Sequence, residues 1–274
     1  MAAIFSAPLT FGTIARSASQ ALHPGLRRGI VGAWVPALGP TGGGLFDVIS
    51  GNRNALTQMD PATDWVVTEK GYTLDFDTVN SPTGNYIDLG TKTYLTAGQT
   101  FSICWWERIN GSAATFPDRF SFDVAGSADY FVVIRATHAS YVDLTFGKSP
   151  IGAAYKAAIG TVAASIGIWK FCVITGVNPV SEVSAHFAVF ADARSIAVTS
   201  AAAFGTVTLN RIGVHADHGP NCKLGTTLVY NRRITGNEIL LLYTDHLAPF
   251  RRRDLFVPGR GRNRRRRFLI AGNQ

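Results

Sequence analysis

From residue 26 onward the chain reads as short runs in which apolar and polar positions alternate, cut by Gly, Pro and Asn. A period of two is that of a β-strand with one face buried. In Phe101-Ser102-Ile103-Cys104-Trp105-Trp106 the residues Phe101, Ile103 and Trp105 share a face, which predicts a strand buried on at least one side. Residues 130–135 and 141–146 predict neighbouring antiparallel strands, because the connection 136–140 is short enough for a hairpin loop. Trp169-Lys170-Phe171-Cys172-Val173-Ile174 repeats the pattern, with Gly176, Asn178 and Pro179 expected to end it. Further strands are expected over 186–190 and 207–214. Many short strands with turn-rich connections argue for a sandwich or jelly roll.

One helix interrupts this pattern. Thr235-Gly236-Asn237-Glu238 fits a capping box, in which Thr235 accepts from the Glu238 N–H while Glu238 reaches back. Ile239, Leu242 and Tyr243 then fall on one helical face, and Pro249 is expected to stop the helix. His23-Pro24-Gly25 reads as a turn before the first strand. Residues 1–25 have no clear period and read as an arm that docks on something. The expected organisation is an N-terminal arm (1–25), a β-sandwich (26–247) and an Arg-rich C-terminal arm (248–274).

The ends of the sandwich carry a family likeness. The front holds Gly29-Ile30-Val31-Gly32-Ala33-Trp34 and Phe46-Asp47-Val48-Ile49-Ser50-Gly51-Asn52-Arg53-Asn54, then Tyr72-Thr73-Leu74-Asp75-Phe76-Asp77 and Tyr86-Ile87-Asp88-Leu89-Gly90. The back holds Thr227-Leu228-Val229-Tyr230-Asn231-Arg232-Arg233-Ile234-Thr235-Gly236-Asn237-Glu238-Ile239. Together these resemble the first and last strands of a laminin-G-like domain, the concanavalin A-like lectin jelly roll. The resemblance implies an all-β sandwich of two antiparallel sheets whose first and last strands pair, with a short helix after the last strand. The order of the central strands is similar to the family's as well. Chains with these ends and an Arg- and Phe-rich terminus resemble laminin-G-like structural proteins of tailed bacteriophages. That resemblance implies a virion protein assembled in a host cytoplasm, as a capsid decoration, head-fibre or tail-associated subunit. Its partners would be virion proteins such as the major capsid protein, and it would be a homo-oligomer. A carbohydrate-binding module that recognises a host-surface glycan is the alternative on the same fold.

Charge sharpens the picture of the tail. Hydrophobic residues make up 46 % of the chain and charged ones 16 %, a low charge that implies surface covered by partners. The net charge of +8 is concentrated, because nine arginines and a single acid, Asp254, lie between Arg251 and Arg267. The remaining 17 basic and 17 acidic residues cancel. Such a segment reads either as an interaction arm or as a solvated end. Arg251, Arg252 and Arg253 follow Pro249-Phe250, and Arg264, Arg265, Arg266 and Arg267 precede Phe268. Arginine beside apolar residues, without lysine, favours a protein partner over nucleic acid.

Residues 1–19 lack a basic start and their apolar run is broken by Pro8, Thr10 and Gly12, so a secretory leader is not expected. No membrane-spanning helix is expected either, because no apolar run reaches about 18 residues. The three cysteines, Cys104, Cys172 and Cys222, form no Cys-x-x-Cys pair. Cys104 and Cys172, in strand-like runs, are expected to pack as small hydrophobes in a reducing cytoplasm.

Candidate chemistry is sparse. A glycosidase of the two-carboxylate kind needs acid and nucleophile flanking the scissile bond. Glu69, Glu107, Glu182 and Glu238 are isolated from one another, and Asp75 with Asp77 forms only an alternating pair. There is no Gly-x-Ser-x-Gly elbow, and Gly42-Gly43-Gly44 lacks the Lys-Ser/Thr of a phosphate loop. The chain is therefore expected not to be an enzyme and to need no cofactor. Calcium is the exception the family likeness raises, since Asp47, Ser50, Asn52 and Asn54 match a loop that supplies calcium ligands there. The family's acidic pair before Tyr230-Asn231 is replaced by Gly225 and Thr226, and the loop reads equally as a turn whose side chains bond the backbone. His215, Asp217 and His218 could ligate a transition metal or form a polar turn. Among the aromatics Trp65, Trp105, Trp106, Tyr130 and Tyr141, Trp65 is expected to be the exposed one that could stack on a sugar.

Overall fold

The structure is a computed structural model. It describes residues 9–76, 85–96, 98–110, 118–124, 130–138, 141–146, 155–161, 166–177, 187–196, 207–213 and 222–253. The chain divides into two compact units, Gly29–His246 and the two ends Met1–Arg28 with Leu247–Gln274.

Among its described residues the larger unit is all β apart from one helix and a 3-10 turn over Pro36–Leu38. Its first half runs β1 (Ile30–Trp34), β2 (Gly44–Phe46), β3 (Arg53–Thr57), β4 (Trp65–Thr68), β5 (Gly71–Phe76), β6 (Tyr86–Leu95), β7 (Thr100–Ile109) and β8 (Asp118–Val124). Its second half runs β9 (Tyr130–His138), β10 (Tyr141–Phe146), β11 (Tyr155–Thr161), β12 (Trp169–Val177), β13 (Phe187–Ala191), β14 (Arg194–Ile196), β15 (Val207–Ile212) and β16 (Cys222–Tyr230). One sheet has the order β14-β13-β12-β7-β16-β5-β4, with β1 also on β16, and the other β11-β10-β9-β8-β15-β6-β3-β2. All named pairings are antiparallel. This is the two-sheet antiparallel sandwich that the patterning predicts, in the concanavalin A-like jelly-roll form that the family likeness implies.

The first and last strands do pair, with Ala33 opposite Leu228 and Trp34 opposite Thr227. The core lies between the sheets. Phe101, Ile103 and Trp105 of β7, Cys172 and Ile174 of β12 and Val229 of β16 meet Leu56, Ile87, Leu89 and Ile212 of the other sheet. Gly213 shows how closely the layers approach: a Cβ there would stand 2.7 Å from both the Asn85 carbonyl and the Phe76 ring. The cysteines Cys104, Cys172 and Cys222 are all buried, and burial pushes the Cys104 and Cys172 thiols above their ordinary range.

Strand β7 is central and its opposite face is also apolar. Cys104 and Trp106 point away from the core and are buried none the less. In register beside them stand Val173 and Phe171 of β12. What covers this face is the helix. β16 ends at Tyr230, and Ser102 then anchors the returning chain: its hydroxyl lies 2.9 Å from the Arg232 carbonyl and accepts from the Ile234 N–H at 3.0 Å. The capping box forms as expected and starts α2 (Gly236–Thr244); the shorter α1 is Pro24–Arg27. The Arg232 guanidinium grips Glu238 through two bonds, of 3.0 and 2.7 Å. Ile239 and Leu242 are buried, whereas Leu240 and Leu241 are exposed. The helix ends at Thr244, before Pro249, which sits in a 3-10 turn over Ala248–Phe250.

In the smaller unit, His23-Pro24-Gly25 opens α1 rather than forming a turn, because proline at the first helical position has its φ preset and needs no N–H partner. The two ends are joined by backbone bonds. The Leu22 N–H donates to the Arg251 carbonyl at 2.7 Å, Ala15 to Phe250 at 2.8 Å, and Arg253 to Gln20 at 2.9 Å. The Arg27 guanidinium lies 5.4 Å from the Phe250 ring centre. Among the described residues no helix is long and apolar enough to cross a membrane.

Candidate functional site

The loop after β2 closes on itself. Asp47 is buried, and its Oδ1 accepts from the Ala33 and Ile49 N–H groups at 3.0 Å each, while Oδ2 accepts from the Ser50 hydroxyl at 2.6 Å. The Lys92 ammonium is 3.8 Å from Oδ2. Asn54 accepts from the Trp34 indole and donates to the Asp88 carbonyl, both at 3.0 Å. Asn52 is exposed, and its N–H donates to Ser50 Oγ. The polar atoms of Asp47 and Asn54 thus face protein partners, the geometry of an Asx-type turn. Thr226, at one of the two positions where the family's acidic pair would stand, has its hydroxyl 2.7 Å from His246 Nδ1. No group of three or more His, Cys, Asp or Glu is gathered among the described residues. His215, Asp217 and His218 lie outside them.

Trp65 is corrected. It begins β4, is 8 % exposed and belongs to the core, with its indole N–H donating to the Gly42 carbonyl at 3.0 Å. It stands at the first position of a strand whose inward face begins with it, so the polar segment before it does not carry it to the surface. Asp75 is engaged by Lys223 and by the Asn110 amide; Asp77 lies outside the described residues. Arg251 and Arg252 are half-buried and Arg253 is exposed. Arg264, Arg265, Arg266, Arg267 and Phe268 lie outside the described residues, as do the side chains of Tyr130 and Tyr141.

A different group of aromatics forms a cleft, on the helix-bearing face of the β7 sheet. Its volume is about 500 Å³, and Lys70, Trp106, Ile168, Trp169 and Tyr243 line it with Glu69 at the rim. Trp106, Trp169, Tyr243 and the Glu69-Lys70 pair come from four separate elements, with Ile168 just before β12. Trp106 of β7 stacks on Phe171 of β12, with ring centres 5.1 Å apart and planes 27° apart. Tyr243 from the last turn of α2 stacks on Trp106 at 5.6 Å and 15°. Gly225 of β16 makes room for the tryptophans, since a Cβ there would stand 3.0 Å from Trp106 Cβ and 3.6 Å from the Trp169 ring. Ile168 and Tyr243 are exposed at 51 % and 36 %, which makes the cleft wall apolar and accessible.

The charges come from the two-residue hairpin loop Glu69-Lys70, which joins β4 to β5. Gly71, at φ 81°, takes the left-handed conformation that closes it, and the Lys70 N–H donates to Thr68 Oγ1 at 3.1 Å. The loop sets the Lys70 ammonium 3.5 Å from the Trp106 ring centre. Arg108 lies 5.7 Å from the Trp169 ring centre and 3.7 Å from the Glu69 carboxylate. Lys170 pairs with Asp192 at 3.0 Å. Burial holds the Lys70 amine below its ordinary range, opposed by the negative charges of Glu69 and Asp192.

Sequence reasoning named Trp106 as an available aromatic but missed Lys70, Trp169 and Tyr243 as its neighbours. The signal was present in the alternation. Phe101, Ile103 and Trp105 occupy the core face, so Trp106 belongs to the other one, and a large aromatic out of phase with the core needs either a cover or a ligand.

The fold and cleft together define a two-sheet β-sandwich with an aromatic-lined surface cleft. No family model and no curated protein matches the sequence. Solved structures do. The sialidase of Trypanosoma rangeli is 12 % identical with a TM-score of 0.54, over 80 % of this chain and 33 % of the sialidase. The receptor binding domain of botulinum neurotoxin type G is 11 % identical with a TM-score of 0.50, over 79 % of this chain and 51 % of that one. The binding domain of botulinum neurotoxin DC in complex with SialylT is 12 % identical with a TM-score of 0.51, over 80 % and 52 %. The chain thus spans about a third of the sialidase and half of the toxin chains, and at these identities the likeness is one of fold. It also corrects the expectation that the chain is not an enzyme, because its fold matches part of chains that are sialidases. That expectation rested on the spacing of paired carboxylates, a criterion that does not reach sialidases, which use a tyrosine nucleophile.

Proposed function

We propose that this chain is a glycan-binding module and that the Trp106–Tyr243 cleft is its binding site. The observation that carries this reading is the cleft: Tyr243, exposed to solvent and stacked on the buried Trp106, beside the exposed Ile168 and with charged groups at one edge. Sugars present an apolar C–H face and a polar rim, and such a wall meets both. Support comes from the neurotoxin binding domain of the same fold in complex with SialylT. The test is retention of the full chain on an array of immobilised oligosaccharides, beside a Tyr243→Ala variant with unchanged circular dichroism. Retention by the native chain and its loss in the variant is the expected result; no retention by the native chain overturns the reading.

A second reading, compatible with the first, is that the module is carried on a virion, docked through its Arg-rich end. The concentration of charge between Arg251 and Arg267 favours it. A nuclease-treated pull-down with the full chain, against one with Arg264, Arg265, Arg266 and Arg267 replaced by serine, tests it. Capture of capsid or tail proteins only by the native chain supports docking, and capture of no protein by either overturns it.

A further inference from the structure

We propose that the cleft selects sugars that bear a carboxylate, with Lys70 as the counter-ion. This rests on the glycan-binding reading and narrows it. The inference comes from pairing the charges around the cleft one by one. Glu69 has Arg108, 3.7 Å away. Asp192 has Lys170, 3.0 Å away, and also accepts from the Phe171 N–H at 3.1 Å. Lys70 is the cation left over. Among the described residues its ammonium makes no ion pair and no hydrogen bond, and rests instead on the face of Trp106. An ammonium over an aromatic ring gains far less than one in contact with a carboxylate, above all where water is partly excluded.

Geometry points the same way. The hairpin loop is only two residues long, so the Lys70 stem starts from a fixed point at the rim. A small swing of the ammonium toward a bound carboxylate would uncover the Trp106 ring beneath it, beside Tyr243. One movement therefore supplies both the charge contact and the stacking surface. A volume of about 500 Å³ suits one or two sugar rings. A neutral sugar gains the stacking but leaves the ammonium as it was, so the difference between the two ligands is the charge contact.

The experiment is calorimetric titration of the full chain with sialyllactose and with an oligogalacturonate, each against its methyl ester, and with lactose. The native chain and Lys70→Met, which keeps the length of the stem and removes the charge, are compared. Esterification and Lys70→Met are each expected to weaken binding by about tenfold or more, the loss of one charge-assisted contact. Preference for one acid over the other identifies the sugar class. Binding of ester and acid within threefold of one another, or of Lys70→Met and native chain, overturns the proposal. Should Lys70→Met fold poorly, the ester comparison on the native chain decides alone. Equal binding of lactose and the acidic sugars sinks the carboxylate inference while glycan binding stands; binding of none of them at any concentration overturns both.

Discussion

Replacing Ser102 with alanine should loosen the helix that forms one wall of the cleft. Ser102 is completely buried on β7. Its oxygen is 2.7 Å from the Thr175 hydroxyl and 2.9 Å from the Arg232 carbonyl, and it accepts from the Ile234 N–H at 3.0 Å. Thr175 in turn donates to the Phe101 carbonyl at 3.3 Å. One hydroxyl thus ties two strands to the segment that turns back over the sheet. Alanine removes the oxygen with little change in volume, so the expected loss is of polar satisfaction and not of packing. The Ile234 N–H, in a residue only 5 % exposed, would be left without an acceptor. A buried unsatisfied donor costs about 1–3 kcal/mol, and about 2 kcal/mol is the expectation here.

For a domain of this size that corresponds to a fall in melting temperature of roughly 4–8 °C. Urea unfolding followed by tryptophan fluorescence measures it, since Trp106 lies under Tyr243 and reports on the helix. The midpoint should fall and the slope should not change. Val67→Ala, at a position 72 % exposed, is the control. If Ser102→Ala costs no more than that control, about 0.5 kcal/mol or less, the hydroxyl is not the tether described above.

Three further outcomes follow from the same structure. Glu238 has its carboxyl held below the ordinary 4.5, because burial, which raises it, is outweighed by hydrogen bonds from Arg232 and Thr235. Its contribution to stability is complete above that value and lost as pH falls through the folded-state value. The gap in stability between native chain and Glu238→Gln should therefore be widest near pH 7 and shrink as the pH falls below the ordinary 4.5 in acid titrations; a constant gap refutes the assignment. Gly225→Ala should destabilise by about 1–3 kcal/mol, since its Cβ would press on Trp106, and it should weaken glycan retention by displacing that ring. Asp47→Ala should cost about 2–4 kcal/mol by orphaning two N–H groups and the Ser50 hydroxyl; millimolar calcium should leave the native melting temperature unchanged, and a rise of several degrees would instead mark the loop as a cation site.

The alternation of Phe101, Ile103 and Trp105 was enough to read β7 and its buried face, because strand periodicity is local. The Thr235–Glu238 capping box was legible for the same reason: all its partners lie within four residues. The pairing of β1 with β16 was legible through family likeness and not through local pattern, since it joins residues some two hundred positions apart. What the pattern could not give was the direction of Trp65. A polar segment precedes it, and only the packing of β4 beside β5 turns the ring inward. The match of Asp47, Asn52 and Asn54 to a calcium loop does not by itself separate ligands from turn-formers, because the same side-chain oxygens can serve either purpose. In the structure Asp47 bonds the Ala33 and Ile49 N–H groups and Asn54 the Trp34 indole, partners that only the tertiary structure positions.

The cleft itself shows why a site built across elements escapes a linear reading. Trp106, Trp169, Tyr243 and Lys70 come from two strands, a helix and a hairpin loop, and none has a partner at a characteristic spacing in sequence. What sequence does contain is a debt of surface. β7 and β12 are apolar on both faces, yet α2, the one helix described over this unit and nine residues long, buries only Ile239 and Leu242. Such a helix reaches about 13 Å, too short to roof the face of two ten-residue-class strands. Trp106 and Trp169 are closed off by Lys70, Arg108 and Tyr243 instead, and Tyr243, at the end of the helix, is the aromatic left half-exposed. A strand apolar on both faces with too little helix to cover it is therefore a sequence-level sign of a binding face. In this chain that sign falls on Trp106 and Trp169, whose buried rings lie under Lys70, Arg108 and the half-exposed Tyr243.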